Sequence, residues 1–372
     1  MPFCSKSANS RPFYAAHCWP KSRPWLWYNR RVTAPAPITL AQVGLGYWGP
    51  NLLRNFAALP GCTIATVCDR DERALHKIAS QYPGVRTTTD YESLLADPQL
   101  DAVVIATPSP THAMFAAAAL RAGKHVFVEK PLALNRTDAE LLVALAAQYD
   151  RRLMVGHLLI YHPALVRLAG LLADGTLGTL RYVTAQRLNL GVVRRDENVL
   201  WSLAPHDVAV LLHLVGSLPK SVAAHGAAFL QPGVEDVAFL TLHFPGGEIG
   251  NIHVSWLDPN KTRRFTVVGS HQMAVFDDMS AGEKLRVYDQ GVNVPDYASY
   301  GEALTLRFGD VLIPRLDLRE PLRLECEHFL EAVRTNTTPR SDGMAGLAVV
   351  RVLEAAEYSL KHGGEITPLA AP

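Results

Sequence analysis

The sequence predicts two domains: an α/β Rossmann domain built on a doubly wound parallel sheet, then an α+β domain with a large, mostly antiparallel sheet. Three observations carry that expectation. An apolar run, residues 38–43, meets Gly44-Leu45-Gly46-Tyr47-Trp48-Gly49; a helical stretch follows, and a second run from Thr63 to Cys68 ends on Asp69, 20 positions after Gly49. Short apolar runs then alternate with helical stretches as far as residue 157, the pattern of strands covered on both faces by helices. From Thr179 the period changes to short β-rich segments separated by turns such as Pro245-Gly246-Gly247 and Gly269-Ser270, which implies antiparallel pairing. At 372 residues the chain exceeds the size of a single growing core, and the boundaries fall at 38–157 and 158–372.

Residues 1–37 stand apart. They hold six basic side chains (Lys6, Arg11, Lys21, Arg23, Arg30, Arg31) and no acid, with Trp19, Trp25 and Trp27 set among prolines and serines and no hydrophobic period. Such a segment is expected to be disordered, or to precede a true start near Val32; a transit peptide is the competing reading.

In the first βαβ unit each part has a mechanical reason. Gly44 permits the tight turn, Gly46 lets backbone approach a pyrophosphate, Gly49 lets helix and strand pack closely, and the helix N-terminus offers free N–H groups to phosphate. Asp69 is expected to accept from the adenosine ribose hydroxyls. Helices are then expected at 71–80, 91–96, 111–122 and 137–149, with strands at 102–106, 125–128 and 153–155. Strands follow at 180–188, 237–244, 249–256, 264–268 and 274–276, and helices at 321–334 and 343–362 close the chain.

Bulk properties exclude several classes. Beyond residue 37 there are 30 basic against 35 acidic side chains, so the body has no general electrostatic reason to bind nucleic acid. Five scattered cysteines without a C-x-x-C pattern indicate neither a disulfide framework nor a zinc site, and no metal is expected. No apolar stretch reaches membrane-spanning length, so a cytoplasmic protein without a membrane partner is expected.

Ligands of open parallel sheets bind beyond the carboxyl ends of the strands. Two further strand ends therefore matter: Thr107-Pro108-Ser109-Pro110-Thr111-His112, and Glu129-Lys130-Pro131, where the following proline restricts the backbone of Lys130. Together with Gly123-Lys124-His125-Val126-Phe127-Val128, Gly156-His157 and Ala204-Pro205-His206-Asp207, these residues resemble the Gfo/Idh/MocA oxidoreductases, from about Ile38 to the C-terminus. The resemblance implies a nicotinamide-dependent alcohol or carbonyl redox reaction on a sugar, sugar nucleotide or cyclitol, with Lys130 reaching the reacting oxygen. It places Gly44, Gly46, Tyr47, Trp48, Gly49, Asp69, Arg70, Thr107, Pro108, His112, Glu129 and Lys130 at the cofactor. The stretch from Gly156 through Tyr161 to Pro163, and that from Arg187 through Asn189 to Asp207, are most similar to the branch that oxidises the 3-hydroxyl of UDP-linked N-acetylhexosamines or their uronic acids. This puts His157, Tyr161, Arg187, Asn189 and Asp207 at the substrate. Ser202 departs from the family, which usually has aspartate four residues before the histidine.

Removing hydride from a secondary alcohol requires a group that takes the hydroxyl proton. Free lysine titrates near ~10.4 and would need a depressed pKa, whereas histidine starts near ~6.5. Lys130 or His206 is therefore the expected base, with Lys130 also stabilising developing charge on oxygen. Asp69 repels a 2′-phosphate and favours NAD, while Arg70 leaves NADP as the lesser expectation. Arg187, Arg194 and Arg195 are candidates for a substrate diphosphate. The expected partners are a sugar or nucleotide sugar and a second copy of the chain, as a homodimer or homotetramer through the C-terminal sheet. Two alternatives stay open: an inositol or free-sugar dehydrogenase of the same family, and an inactive NAD-sensing protein.

Overall fold

The computed structural model describes residues 37–191, 193–195, 197–293 and 305–369; the expectation for residues 1–36 falls outside them. The first half alternates β1 (Ile38–Val43), α1 (Gly49–Ala57), β2 (Cys62–Cys68), α2 (Glu72–Gln81), β3 (Arg86–Thr88), α3 (Tyr91–Leu95), β4 (Ala102–Ile105), α4 (His112–Arg121), β5 (His125–Glu129), α5 (Arg136–Gln148) and β6 (Leu153–Gly156). Its six strands are parallel in the order β3-β2-β1-β4-β5-β6. The direction of winding reverses between β1 and β4, the point beyond whose strand ends open parallel sheets bind their ligands. The strands are apolar runs because helices cover both faces: β4 and β6 are buried at every position.

The second half begins with α6 (Pro163–Ala173) and continues through β7 (Leu180–Leu188), α7 (Val199–Val215), β8 (Ser221–Ala227), β9 (Val237–His243), β10 (Ile249–Ser255), β11 (Thr262–Gly269), β12 (Met273–Asp277) and β13 (Leu285–Tyr288). The hairpin β14 (Gly291–Asn293) and β15 (Thr305–Arg307), then β16 (Val311–Leu312), α8 (Pro321–Thr335), α9 (Gly343–Lys361) and β17 (Thr367–Pro368) complete the chain. Among the described residues the large sheet runs β16-β13-β12-β11-β7-β10-β9-β8-β17. It is antiparallel except between β7 and β10, a pair with α7, β8 and β9 between them in sequence. Alternation sets one face: in β9, Ala238, Leu240 and Leu242 point into the core and Phe239 points out.

α7 starts on Asn198, whose side chain accepts from the Trp201 N–H, and stops on Gly216 in the left-handed conformation. It is buried nearly all round between the sheet and α9. The chain's last helices also return to the first half. Phe329 of α8 packs edge-on against Phe56 of α1 and Phe127 of β5, with ring centroids 6.1 and 5.7 Å apart, and the Val155 N–H donates to the Ser341 carbonyl at 2.8 Å. The order of elements along the chain is thus not their grouping in space, and the C-terminal helices lock the two halves together.

Candidate active site

The site is built from the ends of β1, β4 and β5 facing α7. At the end of β1, Gly44 has φ +95°, and a Cβ there would sit 2.5 Å from the Ala106 carbonyl of the neighbouring strand end. A Cβ on Gly49 would run into the Gly44 carbonyl, so the turn and the start of α1 touch through bare backbone. Nothing lies within 4 Å of the Cβ position of Gly46, whose face is open to an approaching group. The buried Gln42 amide donates to the carbonyls of Gly44 (3.1 Å) and Gly49 (2.9 Å), holding the loop in shape. Asp69 supports it from the side, accepting from the Leu45 N–H at 2.5 Å and the Asp71 N–H at 2.9 Å. Its carboxylate retains acceptor sites for two hydroxyls. This open cradle at a helix N-terminus, with an acid at the end of the adjacent strand, fits a dinucleotide.

Glu129 and Lys130 leave the end of β5, and the Lys130–Pro131 peptide is cis. The Trp48 indole is near enough to the Glu129 carboxyl to lower it, so the cradle adjoins this edge. Burial raises Glu129 to about 7, opposed by Lys130, by the Lys130 N–H and by that indole. A second carboxyl, Glu325 on α8, is wholly buried with neither oxygen partnered, and burial first, then Glu129, drives it well above its ordinary range. It is held neutral.

The Lys130 amine crosses to α7 and donates to the Ser202 carbonyl at 3.3 Å. Burial lowers its pKa; Glu129 and Glu197 oppose, while Arg194 and Arg187 add to the fall. The help that lysine needs to serve as a base is therefore present. His206, the other expected base, sits in a different environment. Burial comes first, and Lys130, Arg187, His157 and Arg263 all push its imidazole well below 6.5. These surroundings favour its neutral form. Ser202 supplies its backbone carbonyl to this arrangement.

The other residues singled out in the sequence are placed as follows. Arg187 and Asp207 bind each other: Nε to Oδ2 at 2.7 Å and Nη2 to Oδ1 at 2.9 Å, with the Asp207 side chain wholly buried. Each is the other's partner here, and Arg187 keeps further N–H donors beyond the two that Asp207 accepts. Tyr161 is buried with its hydroxyl between His328 Nδ1 (2.9 Å) and Ser341 Oγ (3.1 Å), a bridge between α8 and the start of α9. His112 is buried with Nδ1 2.7 Å from the Pro131 carbonyl and Nε2 2.9 Å from the Thr107 carbonyl. It clamps the two strand-end loops, and Thr107 also accepts from the Thr111 hydroxyl at 2.8 Å. His157 is buried with both ring nitrogens unpartnered. Asn189 follows β7, its N–H donating to the Ser255 carbonyl at 3.0 Å. Tyr47 and Arg70 are exposed at the cradle rim. Arg194 pairs with Glu197 at 3.1 Å, and Arg195 lines an open depression of about 670 Å³ with Val193, Leu230, Gln231, Pro232 and Val234. Gln42 was missed, though an amide within an apolar strand is a signal readable in sequence. Among the described residues no group of three or more His, Cys, Asp or Glu side chains is placed to hold a metal ion, and no helix is long and apolar enough to cross a membrane.

Comparison with known proteins agrees with this geometry. Residues 38–157 match the family model described as the oxidoreductase family, NAD-binding Rossmann fold, and residues 165–275 match the GFO/IDH/MocA C-terminal domain. The chain is 30% identical to a UDP-N-acetylglucosamine 3-dehydrogenase of Acidithiobacillus ferrooxidans over 320 residues, 84% of this chain and 93% of that protein. It is 24% identical to the scyllo-inositol 2-dehydrogenase (NAD(+)) of Bacillus subtilis over 341 residues, 88% and 95% of the two chains. Among solved structures, GenD2 from gentamicin A biosynthesis, in complex with NAD, superposes with a TM-score of 0.77 at 27% identity, covering 92% of this chain and 99% of that one. The chain belongs to the Gfo/Idh/MocA oxidoreductases, and is a nicotinamide-dependent dehydrogenase acting on CH–OH groups.

Proposed function

We propose that the chain uses NAD to oxidise the 3-hydroxyl of a nucleotide-linked N-acetylhexosamine, with Lys130 as the group that takes the hydroxyl proton. The observation that carries the assignment is the Lys130 amine, sunk between β5 and α7, lowered by burial and donating to the Ser202 carbonyl. When bound, the nicotinamide supplies the hydride acceptor. Lys130 receives the proton as the carbonyl forms and donates to the oxygen where charge develops. His206, neutral and across from it, orients the hydroxyl by hydrogen bonding. The Arg187–Asp207 pair keeps α7 fixed on β7, so that Ser202 and His206 face Lys130.

The N-acetylhexosamine reading is supported by the A. ferrooxidans relative, matched along 93% of its length, and by Arg195 beside an open depression able to take a bulky charged group. The B. subtilis relative supports a free polyol as the second reading. Asp69 at the cradle favours NAD over NADP, since a carboxylate repels a 2′-phosphate. A homo-oligomer through the outer face of the large sheet is supported by its composition: β7, β9, β10 and β11 contain no Asp or Glu, and Tyr182, Phe239 and Ile249 are exposed there.

The test is the appearance of NADH absorbance with UDP-N-acetylglucosamine, UDP-N-acetylgalactosamine and scyllo-inositol, each with NAD and with NADP. Turnover of scyllo-inositol but neither UDP-sugar overturns the nucleotide-sugar reading. Light scattering of the wild type and Phe239→Glu tests the interface, which a monomeric wild type excludes.

A further inference from the structure

Arg263 belongs to the wall of the site, and the chemistry described so far does not use it. It stands on β11 directly opposite Arg187 of β7 in the strand register. Alternation puts both on the face that carries the buried Val183, Ala185, Phe265 and Val267, the face on which α7 packs. Facing Cα atoms on neighbouring antiparallel strands are only about 4.5–5.5 Å apart, and like charges set opposite each other there destabilise a sheet. Such a pair is tolerable where each cation has an anion. Arg187 has one, the buried Asp207 carboxylate, bound at 2.7 and 2.9 Å. Arg263 is served less well. Its Nη1 lies 3.4 Å from Asp278 Oδ2, long against the ~2.7–2.9 Å of a charge-assisted bond. That one carboxylate is shared with Lys284 at 3.8 Å and His162 at 3.7 Å. Of the guanidinium's N–H donors, one makes this long bond among the described residues, and the side chain is 41% exposed. Arg187, Arg263 and Lys284 thus stand against Asp207 and Asp278, which leaves positive charge unmatched at this end of the sheet. The end is also the catalytic one: Asp207 follows His206 on α7, one turn beyond the Ser202 carbonyl that accepts from Lys130, and Arg263 bears on both His206 and Asp207.

We propose that Arg263 is a specificity-determining residue that reads negative charge in the substrate, its guanidinium holding a carboxylate or phosphate group carried away from the reacting carbon. The proposal rests on the reading of the Lys130–His206 cleft given above and narrows it to anionic sugars over neutral polyols. The planar fork of arginine matches either group through two parallel N–H bonds, which a lysine cannot make. The incoming anion completes the neutralisation that Asp278 leaves partial, so the repulsion between the facing arginines is relieved when substrate is bound. The protein holds an uncompensated cation in the free enzyme, and a charged substrate releases that strain. A neutral polyol would leave it in place.

Steady-state NADH formation by the wild type, Arg263→Gln and Arg263→Lys tests this with UDP-N-acetylglucosaminuronic acid, UDP-N-acetylglucosamine and scyllo-inositol. Arg263→Gln should raise KM for a charged substrate roughly 10- to 100-fold, the range of a hydrogen bond to a charged group, with kcat changed far less. The loss on scyllo-inositol should be about tenfold smaller. Arg263→Lys keeps the charge without the fork and should recover part of the loss. An effect on the uronic acid alone identifies a carboxylate contact, and an equal effect on both UDP-sugars a phosphate contact. Equal loss on all three substrates overturns the proposal. Thermal melting isolates a structural role: removing one of two facing cations should hold or raise the melting temperature. Unchanged KM values overturn the proposal, and a lowered melting temperature would then leave Arg263 as the partner of Asp278 alone. If the wild type forms no NADH with either UDP-sugar, the nucleotide-sugar reading fails, and calorimetry of the NADH-bound enzyme with glucuronate and with inorganic phosphate still decides the anion site. Binding of one of them by the wild type about tenfold more tightly than by Arg263→Gln supports the site; equal binding, or none, refutes it.

Discussion

Replacing Asp207 with Asn tests the electrostatic frame of the site. In the native protein the Arg187 guanidinium is held by two hydrogen bonds to a wholly buried carboxylate, and its own side chain is only 7% exposed. The amide keeps the shape and removes the charge, leaving a cation with no countercharge in a low-dielectric interior. Breaking a buried pair in this way costs about 3–5 kcal/mol. At about 2–4 °C per kcal/mol for a domain of roughly 200 residues, the melting temperature should fall on the order of 10 °C. A catalytic signature accompanies the loss. Arg187 already lowers Lys130, and without its partner it does so more strongly, so the acidic limb of kcat/KM moves to lower pH. The double variant Arg187→Met with Asp207→Leu removes both charges and should recover most of the lost stability, because an apolar pair avoids the desolvation that the ions suffer. Thermal denaturation followed by circular dichroism measures the first effect, and initial rates from pH 5 to 9 the second. A single variant melting within about 2 °C of wild type would show that Asp207 does not neutralise a buried cation.

Lys130→Ala should lower kcat by roughly 10²–10⁴ while NAD affinity stays within about threefold; turnover close to wild type would remove Lys130 from the chemistry. Asp69→Ala deletes both the ribose acceptor and the anchor of the Leu45 N–H, so fluorescence titration should show NAD binding weakened more than NADP binding, and equal weakening speaks against a ribose contact. Ser202→Asp would place a carboxylate one turn before His206 and beside Lys130, raising both pKa values and moving the acidic limb of kcat/KM upward; an unchanged profile means that neither group controls that limb. Stability should also fall in mild acid. Burial holds His125, His213 and His328 at about 4 and His157 at about 3. A folded pKa below the unfolded one gives stability that is complete above pH ~6.5 and lost as pH falls toward the folded values. Glu129, raised to about 7, and Glu325, raised by burial, act in the opposite sense. His206, also pushed well below 6.5, joins the first group and Asp207, raised by burial, the second; the histidines outnumber the carboxyls, so unfolding takes up protons on balance near pH ~5.5. The urea midpoint should drop steeply between pH 6.5 and 5, and a flat midpoint contradicts this balance.

What could be read from the sequence divides along a physical line. The Rossmann strands were legible because helices bury both faces, which leaves continuous apolar runs such as Ala102–Ile105, and the Gly44–Gly49 turn was legible because its requirements are local. The parallel pairing of β7 with β10 was not, since no turn records it and it depends on where α7 packs. The pairing of Arg187 with Asp207 was hidden for a related reason. Each residue read alone is a free charge near a ligand, and only the docking of α7 on β7 reveals that the two satisfy each other. His206 shows the limit most sharply. Its ordinary pKa made it the simpler base, but a pKa in a fold is a sum over neighbours, and here Lys130, Arg187, His157 and Arg263 reach it from four separate segments. The same convergence runs the other way at Lys130, where burial and two arginines lower a group that begins too basic. The motif alone left the base open between Lys130 and His206, and in the function proposed here these neighbours make Lys130 the residue whose titration should govern the rate.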